Sequence, residues 1–239
     1  MNARLQPSSL IERLLSGDAA ALARAISLVE NEASAAQDIL KAVQPNLGRA
    51  MLVGFTGSPG VGKSSLVNAY IRELRERGKT VGVVAVDPSS PLTQGAILGD
   101  RIRITDCAAD PDVFIRSLAA RGNVGGLSPA AARVADVMDA AGKDVVILET
   151  VGAGQSEVEV AEVAHVKIVV SAPGLGDGVQ AIKAGILEIA DILVVNKADL
   201  PDADRTQDQL RRMLKLRRSE LPLVPLLPTC ASTGEGIAA

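Results

Sequence analysis

The sequence predicts an α/β fold: a doubly wound, mostly parallel sheet preceded by a helical N-terminal extension. Three observations carry that expectation. From Met51 onward, short β-branched apolar runs alternate with helix-patterned segments, as in parallel sheets built from strand–helix–strand units. The Gly-rich run Gly57-Ser58-Pro59-Gly60-Val61-Gly62-Lys63-Ser64 lies between one such run and a helix-prone segment. Aromatic residues are confined to Phe55, Tyr70 and Phe114 while 47% of residues are hydrophobic, so the core is Ala, Val, Leu and Ile, which suits a sheet buried on both faces.

The elements follow in order. Ser9-Leu10-Ile11-Glu12 has the form of a capping box, and Asp18 is placed to cap a second helix with Leu22, Ile26 and Val29 on one face. A third helical stretch runs from Ala33 to Val43 and stops at Pro45, and Asn46 to Ala50 form a linker. The division expected is 1–47 for the helical extension and 48–239 for the nucleotide-binding domain. Strands are expected at Met51–Thr56, Thr80–Val86, Asp144–Leu148, Val166–Ser171 and Ile192–Val195. Helices are expected from Ser65 to Arg77, closed by Gly78, and from Pro129 to Ala141, ended by Gly142. The cationic stretch Arg211 to Arg218 reads as a solvated helix face.

The Gly-rich run has the spacing G-x-x-x-x-G-K-S/T, and its strand-before, helix-after context is that of a P-loop. Glycines let backbone N–H groups of Gly57 through Ser65 turn toward phosphate oxygens. Lys63 supplies a point charge, Ser64 a hydroxyl for Mg²⁺, and the following helix its positive end. Asn196-Lys197-Ala198-Asp199 ends a second apolar strand. An Asp199 carboxylate there accepts from guanine N1–H and the 2-amino group, with Asn196 placed for the base's other edge. Adenine has no N1–H donor and leaves such a carboxylate unpaired, at a cost of roughly 1–3 kcal/mol. Chance places both motifs in this order in only a few chains in about ten thousand, so a GTP/GDP-binding protein is expected.

Asp87 and Glu149 end two expected strands, and Asp100 stands in the polar stretch Pro88 to Thr105. Carboxylates gathered at such an edge act on a triphosphate through Mg²⁺. Net charge is −3, giving no basic footprint for nucleic acid, and no apolar window has the length of a membrane span. Cys107 and Cys230 are isolated, so free thiols in a reducing, cytoplasmic setting are expected. His165 alone, with two separate cysteines, is read as structural rather than as part of a soft-ligand metal site.

The strings Asp87 to Arg101, Phe114 to Leu127, Glu149 to Val160 and Ala172 to Asp199 resemble the MeaB/ArgK family of GTPases, chaperones of adenosylcobalamin-dependent methylmalonyl-CoA mutase. The resemblance implies a GTPase that gates cofactor loading and protection of that mutase or a related acyl-CoA mutase. It implies phosphate binding by Gly57 to Ser64, a Mg²⁺ environment of Ser64, Asp87, Asp100 and Glu149, guanine reading by Asn196, Lys197 and Asp199, and a base-contacting loop Cys230-Ala231-Ser232 where relatives carry Ser-Ala-x. With Cys at 230, the base contact is expected from the Ala231 N–H. The segment Gly174 to Lys183 matches the family's third switch. Relatives continue into a helical arm that dimerises, whereas the sequence stops at Ala239, which leaves a homodimer an open expectation.

For hydrolysis, Lys63 and Glu149 are joined by Gln155, two residues later than the water-orienting Gln of Ras-like GTPases, and by Arg103, which together with Arg101 is placed to neutralise developing charge. Intrinsic turnover is expected to be slow and raised by a partner. Two other readings are weighed: a nickel-insertion GTPase, which shares the guanine motif but would display a His- or Cys-rich site, and a P-loop kinase, which shares the phosphate loop but whose acceptor is not water; Asn196-Lys197-Ala198-Asp199 argues for GTP and a switch.

Overall fold

The computed structural model describes residues 7–87, 107, 109–119, 129–150, 162–174, 184–215 and 223–239. Three helices come first: α1 (Pro7–Leu15), α2 (Ala19–Glu30) and α3 (Ala36–Val43), followed by a 3-10 turn at Gln44–Asn46. The rest alternates: β1 (Met51–Thr56), α4 (Lys63–Glu76), β2 (Val81–Asp87), β3 (Val113–Ala119), α5 (Pro129–Ala140), β4 (Val145–Thr150), β5 (Val166–Ser171), α6 (Ala184–Ile189), β6 (Ile192–Val195), α7 (Ala203–Leu214) and β7 (Leu226–Pro228).

All seven described strands run parallel in the order β3-β2-β4-β1-β5-β6-β7. The chain leaves central β1 toward β2 and β3, returns to β4, then crosses to β5 and continues outward. Such a reversal opens a crevice at the carboxyl ends of the strands, where open α/β sheets bind ligands.

Alternation along each strand splits the core. Val53, Phe55, Val83, Ile147 and Val170 pack against α4, whereas Leu52, Val84, Val146 and Leu148 pack against α5 and the N-terminal helices. Leu14, Ile26 and Ile39, one from each N-terminal helix, are fully buried in that second cluster. Truncating any of them to Ala is the kind of change that costs about 2–5 kcal/mol. A smaller cluster joins Val169, Leu193 and Val195 to Leu187 of α6 and Leu210 of α7.

Several local expectations are corrected. Helix α1 begins at Pro7, so Ser9 is already helical and the Ser9–Glu12 capping box is displaced; proline's fixed φ and missing N–H suit the first helical position. Asp18 does cap α2, its Oδ1 accepting from the Ala21 N–H at 2.7 Å. Helix α3 starts three residues later than its pattern, and α4 begins at Lys63 itself. Strand β4 extends past Leu148, since Glu149 pairs in register with Phe55 of β1 and Ala85 of β2. Strands β3 and β7 were not expected. Both are edge strands, and β7 has only three residues, too few for periodicity to show.

Candidate functional site

The chain leaves β1 into the phosphate loop at Gly57, whose φ is 141°; a Cβ there would lie 2.2 Å from the Val170 carbonyl oxygen of β5. Only glycine allows that approach. Gly62, at φ 89°, caps α4 in the left-handed region and has no side chain of its own to bond the helix start. N–H groups at a helix start are donors for an anion. A Cβ on Gly62 would meet Asn196 Nδ2 at 2.5 Å, so this glycine also brings the loop against the second motif.

Lys63 is buried, and its Nζ reaches back across the loop to donate to the Gly57 and Ser58 carbonyls at 2.7 and 3.1 Å. That places a cation over the loop's concave side. Ser64 donates from Oγ to Glu149 Oε1 at 2.6 Å, bringing the head of α4 onto the buried carboxylate of β4.

The second motif follows β6. Asn196 is 1% exposed, and its side chain is a bridge: Nδ2 donates to the Val61 carbonyl at 2.9 Å, while Oδ1 accepts from the Ala231 N–H at 3.2 Å and the Thr229 hydroxyl at 3.3 Å. Lys197, held at φ 58°, donates from Nζ to the Gly60 carbonyl at 2.8 Å. The Ala198 N–H donates to the Thr229 carbonyl at 2.9 Å. Asp199 accepts from the Cys230 thiol, Sγ to Oδ1 at 3.1 Å. Two loops at the carboxyl edge of the sheet are thus tied to each other and to the phosphate loop.

Residues 22–239 match the family model described as Methylmalonyl Co-A mutase-associated GTPase MeaB. The chain belongs to the MeaB family. It is 50% identical over 238 residues to a Pyrococcus horikoshii protein that carries a GTPase name, covering 98% of this chain and 75% of that one. The crystal structure of LAO/AO transport system kinase matches at a TM-score of 0.76 and 32% identity, over 99% of this chain and 73% of that one. HypB from Helicobacter pylori in complex with nickel matches at 0.60 and 14% identity, over 84% of this chain and 87% of that one, a likeness of fold alone. This MeaB-family chain is therefore a GTPase that binds guanine nucleotide, and association with a mutase is a property of its family.

Two residues expected at the base also make contacts within the protein. Asn196 accepts at its oxygen from two donors and donates from its amide to the Val61 and Gly62 carbonyls, and so links three loops. Likewise the Ala231 N–H, expected to face the base, donates to Asn196. Thr229 is a site residue that no motif marked, since its role comes from following a three-residue strand. His165 ties β1 to the start of β5: its ring Nδ1 accepts from the Leu52 N–H at 3.2 Å, and its backbone N–H donates to the Leu52 carbonyl at 2.9 Å. Cys107 and Cys230 are both buried, and neither is in a disulfide.

Asp100, Arg101, Arg103 and Gln155 lie outside the described residues, as do 175–183 of the third-switch segment and the side chain of Asp87. The backbone of Asp87 ends β2, next to the strand that carries Glu149. Among the described residues no three His, Cys, Asp or Glu side chains cluster as a cation cage. The adjacent hard oxygens of Ser64 and Glu149 fit Mg²⁺, which binds through few protein oxygens together with phosphates and water.

Proposed function

We propose that this GTPase gates the loading and protection of adenosylcobalamin on methylmalonyl-CoA mutase or a related acyl-CoA mutase. Family membership supports the partner, and one contact supports the switch. Because Asn196 bonds both the Val61 carbonyl and the Ala231 N–H, the loop under the phosphates and the loops around the base shift together. A change at the γ-phosphate therefore has a bonded route to the rest of the site.

In this reading the N–H groups of Gly57 to Ser65 and the Lys63 ammonium hold the phosphates. Asn196, Lys197, Asp199 and the loop Cys230-Ala231-Ser232 form the guanine pocket, with Asp199 selecting the base. Ser64 and Glu149, with Asp87 and Asp100, would hold Mg²⁺, which supplies charge neutralisation on the β- and γ-phosphates. Gln155 orients the attacking water, and Arg103 faces the charge that develops as the phosphoryl group leaves. A cytoplasmic location accompanies this role; among the described residues no helix is long and apolar enough to cross a membrane.

The deciding experiment measures mutase affinity in a non-hydrolysable GTP analogue and in GDP, and GTP turnover with and without mutase. Binding that follows the nucleotide, and turnover that rises with mutase, are expected. Because coupling between ligands is reciprocal, a mutase preferring the GTP form also tightens GTP. Affinity and turnover indifferent to the partner would remove the chaperone role. Phosphate found on an acceptor other than water would favour the kinase reading that accompanies the LAO/AO relative's name.

A further inference from the structure

The ladder between β1 and β4 ends one residue before either strand does. It closes at Phe55 opposite Glu149; beyond that pair Thr56 is in register only with Val169 of β5, and Thr150 only with Val86 of β2. Side chains alternate along a strand, so both threonines turn away from the face of Phe55 and Glu149, toward the one where Leu52, Val146 and Leu148 pack against α5. There they stand side by side in a row that is otherwise apolar: Leu118, Val86, Thr150, Thr56 and Val169, none more than 5% exposed. Each threonine is 1% exposed, and neither hydroxyl has a hydrogen-bond partner among the described residues.

A buried hydroxyl without a partner is destabilising, and here two occur on adjacent strands. One water satisfies both. Neighbouring strands lie about 4.8 Å apart, too far for one hydroxyl to bond the other and within the roughly 5.6 Å that a water spans with two bonds of about 2.8 Å. Two partners are the fewest that hold a buried water. Their neighbours in sequence give the pair its importance: from Thr56 the chain enters the phosphate loop at Gly57, and Thr150 follows Glu149, whose Oε1 accepts from Ser64. We infer that Thr56 and Thr150 hold one internal water between the exits of β1 and β4, and that this bridge sets the distance from the phosphate loop to the Glu149 carboxylate where the backbone ladder no longer does. The two threonines are thus positioning residues, a role that rests on the Mg²⁺ reading of Glu149 given above.

The test uses Thr56→Val, Thr150→Val and the double substitution, which remove the hydroxyls at nearly constant volume, and Thr56→Ser and Thr150→Ser, which keep them. Denaturant titration of the nucleotide-free protein detects the water. If one water serves both hydroxyls, either valine leaves the water and the other hydroxyl short of a bond, and each single substitution should raise the unfolding constant about fivefold. The double substitution removes the whole bridge, so its effect should fall well short of the product of the two singles. Two dry, independent hydroxyls would give the opposite sign: each valine would lower the unfolding constant and the effects would multiply. That result overturns the inference.

GTP turnover against Mg²⁺ concentration detects the spacing. In either valine variant the Mg²⁺ needed for half-maximal turnover should rise about threefold to tenfold, at or below the range for removing a group that orients a metal ligand. GDP affinity with chelator in place of Mg²⁺ should be unchanged, and the serine variants should keep the Mg²⁺ requirement of the unsubstituted protein. A requirement that stays put in both valine variants, or moves equally in valine and serine variants, also overturns the inference. Glu149→Gln separates it from the reading beneath it. If that substitution leaves the Mg²⁺ requirement unchanged, the metal assignment fails and the spacing role falls with it; a requirement raised by Glu149→Gln and untouched by the valines defeats the inference alone.

Discussion

Central strand β1 is held at both ends by a buried polar side chain that bonds backbone far away in sequence, and the two differ in kind. At its entrance, Asp139 of α5 accepts three N–H donors from the linker: Gly48 at 2.6 Å, Arg49 at 3.2 Å and Ala50 at 2.8 Å. At its exit, Asn196 donates to the phosphate loop and accepts from the loop after β7. A carboxylate only accepts, so Asp139 gathers one segment onto one helix end and fixes where the N-terminal helices join the sheet. An amide both donates and accepts, so Asn196 couples two segments, the Gly-rich loop and the loop after β7, to each other. The same device is an anchor at one end and a hinge pin at the other, according to the chemistry of the side chain.

The contrast breaks most visibly at Asp139. Asp139→Ala strands the buried Ala50 N–H and removes two further charge-assisted bonds at Gly48 and Arg49, whose N–H groups are exposed enough to be rehydrated. Stability should fall by about 2–4 kcal/mol in denaturant titration. GDP affinity of the folded protein should stay within about twofold, because the lost bonds lie at the opposite end of β1 from the phosphate loop. A large loss of affinity at unchanged stability would erase the distinction between anchor and pin.

Asn196→Ala should do the reverse. It leaves the Val61 carbonyl, the Ala231 N–H and the Thr229 hydroxyl without their partner. Stability should drop by only about 1–2 kcal/mol, while GDP affinity falls roughly thirtyfold, near 2 kcal/mol. Asn196→Asp is the sharper variant, since it keeps the acceptor for Ala231 and Thr229 but cannot donate to Val61. If the coupling runs through Val61, Asn196→Asp should lose nearly as much affinity as Asn196→Ala in the same calorimetric titration.

How far each end was legible follows from where its partners lie. Asn196 was visible because Asn, Lys and Asp stand within four residues after an apolar strand, and the Gly-rich loop because its spacing is local. Asp139 carried no signal: its partners precede it by about ninety residues, and only folding brings them together. The same limit explains Thr229, and explains why the bond from Asn196 to the Val61 carbonyl was not foreseen. Residue type gave the chemistry available at each position, while the choice among partners depended on register and crossover. The sheet's interior was legible because strands buried on both faces must be apolar throughout. Edge strands β3 and β7 escaped because a strand with one neighbour, or only three residues, leaves too weak a pattern.

The smallest expected effect sharpens the anchor itself. Asp136 lies one helical turn before Asp139, and burial, followed by the neighbouring Asp139 charge, raises its carboxyl above the ordinary 3.8. A carboxyl whose folded value is raised binds its proton more tightly when folded. Its contribution is complete below 3.8 and is lost as pH climbs through the raised value. Asp144, held down mainly by the Thr80 N–H, and Asp110, held down mainly by Arg75, act in the opposite sense: their stabilisation is present above 3.8 and lost as pH falls through their lowered values. The windows separate on either side of 3.8, so the Asp136 contribution can be read from the slope just above it. Asp136→Asn should remove that slope and raise stability at neutral pH by roughly 0.5 kcal/mol, the scale of a partly exposed substitution. Denaturant midpoints measured at closely spaced pH values test this. Asp139→Asn should reduce the slope without abolishing it, because burial, the larger cause, remains; a slope unchanged in Asp136→Asn would assign the titration to another group.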